Sequence, residues 1–206
     1  ANGSSELITN ISGSLVSMLY NVRLLKFAGE NGVAAYGVLM YIQFIFIAIF
    51  IGYTIGMAPV VGYHYGAANH KEMKNVLKKS LIILSSSAVV LTAVAILLAR
   101  LISSIFVGYD AALLDMTTRA FTICAIPFLV MWFNMYASSF FTALNDGAVS
   151  AAISFMRSLI LPVICILVMP EIWHLDGVWY ALAGSEILSA VVSVGFMLAK
   201  RKKYKY

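Results

Sequence analysis

The side chains with most chemistry to offer in this sequence stand inside stretches that are otherwise apolar. In SELITNISGSLVSMLYNVRLL, residues 5–25, Glu6, Asn10, Ser14, Ser17 and Asn21 recur at steps of four, four, three and four. At about 100° per residue they fall within about 80° of a helix circumference, with Ile8, Leu15, Leu19 and Val22 on the other side. One carboxylate, two amides and two hydroxyls on one face can hold a proton, a monovalent cation or the polar part of an organic molecule. A carboxylate in a low-dielectric cavity has its charged form disfavoured, so it takes up a proton at useful pH. Plainer roles exist beside these. Ser14 and Ser17 can be small interhelical contacts, and Glu6 can be an acid favoured at a helix N-terminus.

Two further stripes repeat the pattern. In FLVMWFNMYASSFFTALND, residues 128–146, Asn134, Ser138, Thr142 and Asn145 share a similar arc, and in residues 177–197 Glu186, Ser189 and Ser193 do so more weakly. Three polar faces predict an aqueous or substrate-accessible interior rather than simple packing. Glu186 stands about nine residues inside its span, where a bare charge costs several kcal/mol. It is expected to be protonated, or paired with Arg157 or Arg119; a pair that only orients helices is the plain alternative. Arg157, in SAAISFMRSLILPV (residues 150–163), either snorkels to the inner interface, the preferred reading, or anchors a carboxylate in the bundle. Aromatic residues such as Tyr36, Phe44, Trp132 and Tyr136 could stack on a flat organic cation.

The elements that must position these groups follow from composition. The chain is 62% hydrophobic and 11% charged, with mean hydropathy +0.92, against about 25% charged residues in a soluble domain. It reads as an all-α integral membrane protein. Spans long enough to cross a bilayer are predicted at 7–25, 33–59, 77–101, 116–144, 149–169 and 178–199, a six-transmembrane-helix bundle. Pro59, with Gly62, marks the inner end of the second span, and Asn69 caps a short basic amphipathic helix over 69–79. Pro127 and Pro162 each remove a backbone hydrogen bond inside a span and permit a bend. With Pro59 and Arg157 they form the expected gating and structural set.

Lys71, Lys74, Lys78 and Lys79, together with a basic tail over 200–206, place both termini on the cytoplasmic side, while Glu30, Asp110, Asp115, Glu171 and Asp176 gather outside. Arg23, Lys26, Arg100 and Arg119 dilute that asymmetry from helix ends, where they can snorkel. The net charge of +5 then reflects topology and anionic lipid, with no call for nucleic acid. The first span has no signal-peptide pattern. It begins almost at once and without an initiator Met, so the sequence is expected to be a piece of a longer chain. Cys124 and Cys165 read as buried thiols. P-loop, GxSxG, HExxH and paired-Cys zinc patterns are absent, which argues against an enzyme and leaves no metal ligands beyond a possible Na+ at Glu6.

AGENGVAAYGVLMYIQFIFIAIFIGYTIGMAPVVGYHYGAANHKEMKN, residues 28–75, resembles the eighth helix and following loop of multidrug and toxic compound extrusion (MATE) transporters, with their AGExGxAAYG turn and APxxGxNxGAxN close. His64 departs from the Asn usual there. NDGAVSAAISFMRSLILPV resembles the family's tenth loop and eleventh helix, including its Arg, and HLDGVWYALAGSEIL its twelfth helix. The resemblance implies one lobe of a twelve-helix transporter of the MOP flippase superfamily: residues 1–206 as the C-terminal lobe, its N-terminal six-helix partner outside this sequence. It further implies a multi-pass protein of the plasma membrane that exports organic cations or drugs by alternating access. The driving force would be an H+ or Na+ gradient, with no other cofactor. Glu6 stands where the family has its seventh-helix acid. The tenth-helix acid of sodium-coupled members has no counterpart among Met131, Trp132 and Asn134. A lipid-linked oligosaccharide flippase and a non-transporting half that needs a partner subunit are the alternatives.

Overall fold

The structure, a computed structural model, describes the backbone of residues 2–206 and the side chains of residues 11–206. The site positions read at Glu6 and Asn10 lie outside the described side chains. Among the described residues every regular element is helical: α1 (Asn2–Gly66), α2 (His70–Val107), α3 (Ala111–Ala125), α4 (Phe128–Ala143), α5 (Gly147–Phe155), a π-helical turn (Met156–Ile160) and α6 (Leu161–Tyr204).

Two of these helices are hairpins. α1 breaks at Gly29 (φ 60°, ψ −151°) and α6 at His174 (φ 50°, ψ −128°). Across the first break Tyr20 stacks on Tyr36, ring centroids 5.6 Å apart. Across the second, Gly177 lies so close to residues 169–170 that a Cβ there would collide with the Met169 carbonyl and sit 2.7 Å from Pro170 Cα. Helices 11–66, 70–107 and 147–204 are each long and apolar enough to cross a membrane, and α3 with α4, bent by 47°, makes a fourth such unit. Because two of the four double back, they give six rods. These run longer than the predicted spans, since hydropathy ends a span at its first polar residue whereas the hydrogen-bond ladder runs on.

The turns between rods start on side-chain caps. Asn69 accepts from Glu72 N (3.2 Å), Asp110 from Ala112 N (2.8 Å) and Asp146 from Val149 N (3.4 Å), each satisfying an otherwise orphaned helical amide. Asn69 thus caps α2 itself. The basic segment at 69–79 is the beginning of one continuous helix, not a separate one. Nor does Pro59 end its rod, which continues to Gly66; the left-handed residue of the following turn is Ala68 (φ 53°). Pro127 stands at the α3–α4 bend.

α2 shows how the bundle closes. Its buried face is Ser80, Leu84, Ala88, Thr92, Ala95, Ala99, Ser103 and Val107, a mostly small stripe at steps of three and four that lets backbones approach. Its other face carries Leu97 and Ile105 at 82% and 74% exposure. Such side chains suit lipid as their solvent.

Charges sort to the two ends. At the end of the Gly29 and His174 turns, Arg23 pairs with Glu171 (2.6 Å), Arg100 with Asp115 (2.9 Å) and Arg119 with Asp176 (2.5 Å). The arginines that blurred the charge asymmetry are therefore matched by acids one for one. At the other end, the residues read as a basic tail are folded. α6 runs to Tyr204, Lys205 turns left-handed (φ 56°), and Tyr206 is buried, its hydroxyl donating to Met197 O at 2.7 Å. Tyr204 Oη donates to Asp146 Oδ2 at 2.6 Å, with Lys203 and Lys200 Nζ at 3.8 and 3.9 Å from the same oxygen.

Two outcomes follow from these ends. His174 holds a backbone conformation that costs a non-glycine residue on the order of 1–3 kcal/mol, so His174→Gly should raise the melting temperature of the purified protein in detergent. The Tyr204 hydroxyl, aided by the Val149 amide and the two lysines, holds the Asp146 carboxyl below the usual range against the opposing effect of burial. A depressed folded value means that its stabilisation is fully present above the unfolded value of about 3.9 and is lost as pH falls through the folded one. Asp146→Asn should therefore lower the melting temperature at pH 7, and the gap from the unaltered protein should close as pH drops below about 4.

Candidate functional site

A cavity of about 880 Å³ opens between both arms of α1, the α3–α4 bend, the π-helical turn and the second arm of α6. From the first arm of α1 it receives Ser14, Ser17 and Asn21, in the stripe register read from the sequence. Asn21 Nδ2 is tied to Ser17 O at 3.0 Å, which fixes the amide along its own helix. The aromatic wall is made by Tyr20, Tyr36, Phe44, Phe121 and Phe128. Pro127 and Pro162 also line it, so the α3–α4 bend and the widened turn before Pro162 both fall at the cavity.

The charged group of the wall is a pair. Arg157 Nε lies 3.0 and 3.1 Å from the two Glu186 carboxylate oxygens, and Nη2 lies 2.8 Å from Oε1. Their side chains are 21% and 13% exposed. Arg157 does not snorkel to the interface, because a carboxylate stands within its reach in the bundle. Arg119, the other partner considered for Glu186, is taken by Asp176. Local backbone explains the reach. Pro162 offers no N–H to Ser158 O, and the turn before it widens, Leu161 N bonding back to Met156 O.

The stripe on α4 faces elsewhere, which corrects the expectation of three cavity faces. Ser138 Oγ lies 3.0 Å from Ser150 Oγ and 2.8 Å from Ser154 Oγ, and Thr142 Oγ1 lies 2.6 Å from Ser150 Oγ, so this row is a hydroxyl ladder against α5. Asn134 is buried behind the cavity. Its Nδ2 donates to Glu186 Oε2 (2.9 Å) and Glu186 O (3.1 Å), while its Oδ1 accepts from Ser193 Oγ (3.0 Å). Asn145 is an exposed turn residue with φ 59°, and Ser189 bonds back to Ser185 O at 2.7 Å. Asn134 and Ser138 are thus set among the helices rather than on the cavity wall.

Some wall residues escaped the sequence. Gln43 is a lone amide in an apolar run, and its isolation was the available signal. Ser158 faces the cavity beside Arg157 with its hydroxyl buried and without a hydrogen-bond partner among the described residues. Both stand on the π-helical turn, which α-helical periodicity does not foresee.

The structure is thus a helical bundle with apolar side chains facing outward and an aromatic-walled cavity that carries a polar stripe and one ion pair, the architecture of a multi-pass membrane protein. The MatE family profile matches residues 7–167, and the chain belongs to that family. It is similar in fold to an outward-facing multidrug resistance MATE family transporter of the MOP superfamily, with TM-score 0.90 and 20% identity over 98% of this chain and 46% of that one. An inward-facing conformation of such a transporter gives TM-score 0.90 and 20% identity over 98% and 47%. A MOP superfamily transporter from Pyrococcus furiosus, for which a reversed pocket polarity suggests a different function, gives TM-score 0.90 and 20% identity over 99% and 46%. The chain spans just under half the length of these structures. No curated relative matches it.

Asn134→Leu should remove the donor that fastens Glu186 while keeping side-chain volume. A hydrogen bond to a charged group is worth roughly 1.5–3 kcal/mol, so the variant should melt measurably lower than the unaltered protein in the same detergent.

Proposed function

We propose that this chain is the C-terminal lobe of a secondary antiporter that exports organic cations or drugs in exchange for H+ or Na+. The N-terminal six-helix lobe supplies the facing half of the pathway. The observation that carries this reading is the Ser14, Ser17 and Asn21 stripe on the wall of the cavity. A polar helix face open to a space of about 880 Å³ is placed to hold a ligand, and sites for drug-sized molecules run from about 300 to 1,000 Å³. The same stripe, continued one and two turns toward the N-terminus, leads to Asn10 and Glu6. Glu6 would exchange a proton or a monovalent cation against substrate. Phe44, which lines the cavity and is 63% exposed, offers a ring face to an organic cation.

Repeat lobes that rock about a midplane site provide alternating access, and a lobe that moves as a unit should resemble inward- and outward-facing relatives equally. The equal TM-scores accord with that. Arg157 is the cation among the described lining residues and is neutralised by Glu186, which favours a cationic or neutral cargo over the pyrophosphate of a lipid-linked oligosaccharide. Lys71, Lys74, Lys78 and Lys79 are exposed and join no ion pair among the described residues, whereas the arginines at the opposite end are matched. That imbalance supports a plasma-membrane orientation with the lysine end, and both termini, in the cytoplasm.

Ethidium accumulation in energised cells expressing the complete reading frame tests the proposal. The unaltered protein should lower accumulation and Glu6→Gln should abolish that export at matched membrane levels. Equal export by the two would remove Glu6 from the coupling machinery, and no export by the unaltered protein would overturn the reading.

A further inference from the structure

Glu186 and Arg157 do not hold each other symmetrically. The carboxylate is fastened from behind: Asn134 bonds both its Oε2 and its backbone carbonyl, and Ser193 in turn orients Asn134. Asn134 and Ser193 are 1% and 0% exposed, so this support lies wholly inside the bundle. Arg157 has no comparable backing. Its hydrogen bonds among the described residues all run to Glu186. Its backbone belongs to a π-helical turn in which no residue is buried, and its side chain opens onto the cavity. One partner is a fixed seat, and the other is a long side chain on a widened turn beside open space.

We propose that Arg157 is a tethered competitor for substrate: its guanidinium occupies the cation seat at Glu186, and an incoming organic cation displaces it into the cavity. This deepens the organic-cation reading above and rests on it. A carboxylate left bare at mid-membrane is costly, and a resident guanidinium removes that cost between transport events. Guanidinium is planar, delocalised and more weakly hydrated than an ammonium group, so it is close in chemistry to the cargo that must replace it. The incoming cation gains the ring face of Phe44, an exposed side chain that lines the same cavity. Arg157, released into the cavity rather than into lipid, has the wall groups of Ser17, Asn21 and Gln43 to turn to. Selectivity then turns on whether a cargo outcompetes an internal rival, and a small ion without an aromatic-compatible surface does not.

The complete transporter, purified in detergent, should be compared with its Arg157→Gln, Arg157→Lys, Glu186→Gln and doubly substituted forms by equilibrium binding of tetraphenylphosphonium. A seat open about a tenth of the time weakens apparent affinity about tenfold, so Arg157→Gln should lower Kd by about that factor. Arg157→Lys keeps the charge without the planar fork and should fall between. Glu186→Gln should raise Kd, and the double variant should behave like Glu186→Gln, because the competitor matters only while the seat exists. A purely structural arginine would never tighten binding when removed. Unchanged or weaker binding by a folded Arg157→Gln would overturn the proposal; should that variant fail to fold, no tightening in Arg157→Lys would do the same. If the unaltered transporter binds no tetraphenylphosphonium, the organic-cation reading falls and the competitor with it. Binding without tightening removes the competitor alone.

Discussion

Lipid outside a helix is as apolar as the leucines on it, so burying those leucines against a neighbour gains little, and helices must be held by close backbone contact and polar bonds. That constraint explains why the chain is built as it is. The inward face of α2 is mostly serine, alanine and threonine, with Leu84 and Val107 among them, while bulky side chains such as Ile82, Val90, Leu97 and Ile105 face out. α4 meets α5 through the hydroxyls of Ser138, Thr142, Ser150 and Ser154. The rod ends are tied by ion pairs at one end and by the tyrosines around Asp146 and Met197 at the other. A cavity can exist in such a bundle only where these ties are withheld, and it lies where α3–α4 bends and the π-helical turn widens.

The deepest charges obey the same rule. Glu186 is tolerable because two groups from other helical elements converge on it, the Arg157 fork and the Asn134 amide, and the hydroxyl of Ser193, from its own helix, holds that amide in place. The elements that supply these groups, α4, the π-helical turn and the second arm of α6, are thereby locked in register. Stability and a cavity-facing charge are served by one constellation. The carboxylate need not be added to a finished scaffold, because it is part of what finishes it.

Much of this was legible in the sequence, and the limits of that legibility have physical causes. Hydropathy gave the class and the number of rods, since lipid selects on composition. The stripe of Ser14, Ser17 and Asn21 lines the cavity. The stripe of Asn134 and Ser138 has the same spacing and the same residue types yet turns to α5 and α6, because periodicity names a face and never says what stands opposite. The hydroxyls that claim Ser138, at Ser150 and Ser154, are four residues apart on the next helix, a matching row that could have been noticed. Arg157 was expected at the interface for want of knowing that its turn is widened by Pro162. The tail looked basic by count, but its tyrosines, interleaved with the lysines, decide that it folds.

The breaks at Pro127 and before Pro162 change the mechanical character of the rods that carry them. An ordinary helix is softest at its ends, where rungs of the hydrogen-bond ladder are missing, and stiffest at its middle. Here the end turns are clamped by ion pairs and tyrosines, and the missing or stretched rungs lie at the cavity, deep in the bundle. The compliance of the molecule is therefore concentrated at its centre, like a beam hinged at midspan and fixed at both supports. A load applied at the cavity bends such a beam most easily, and a cargo settling there would meet the softest part of the wall.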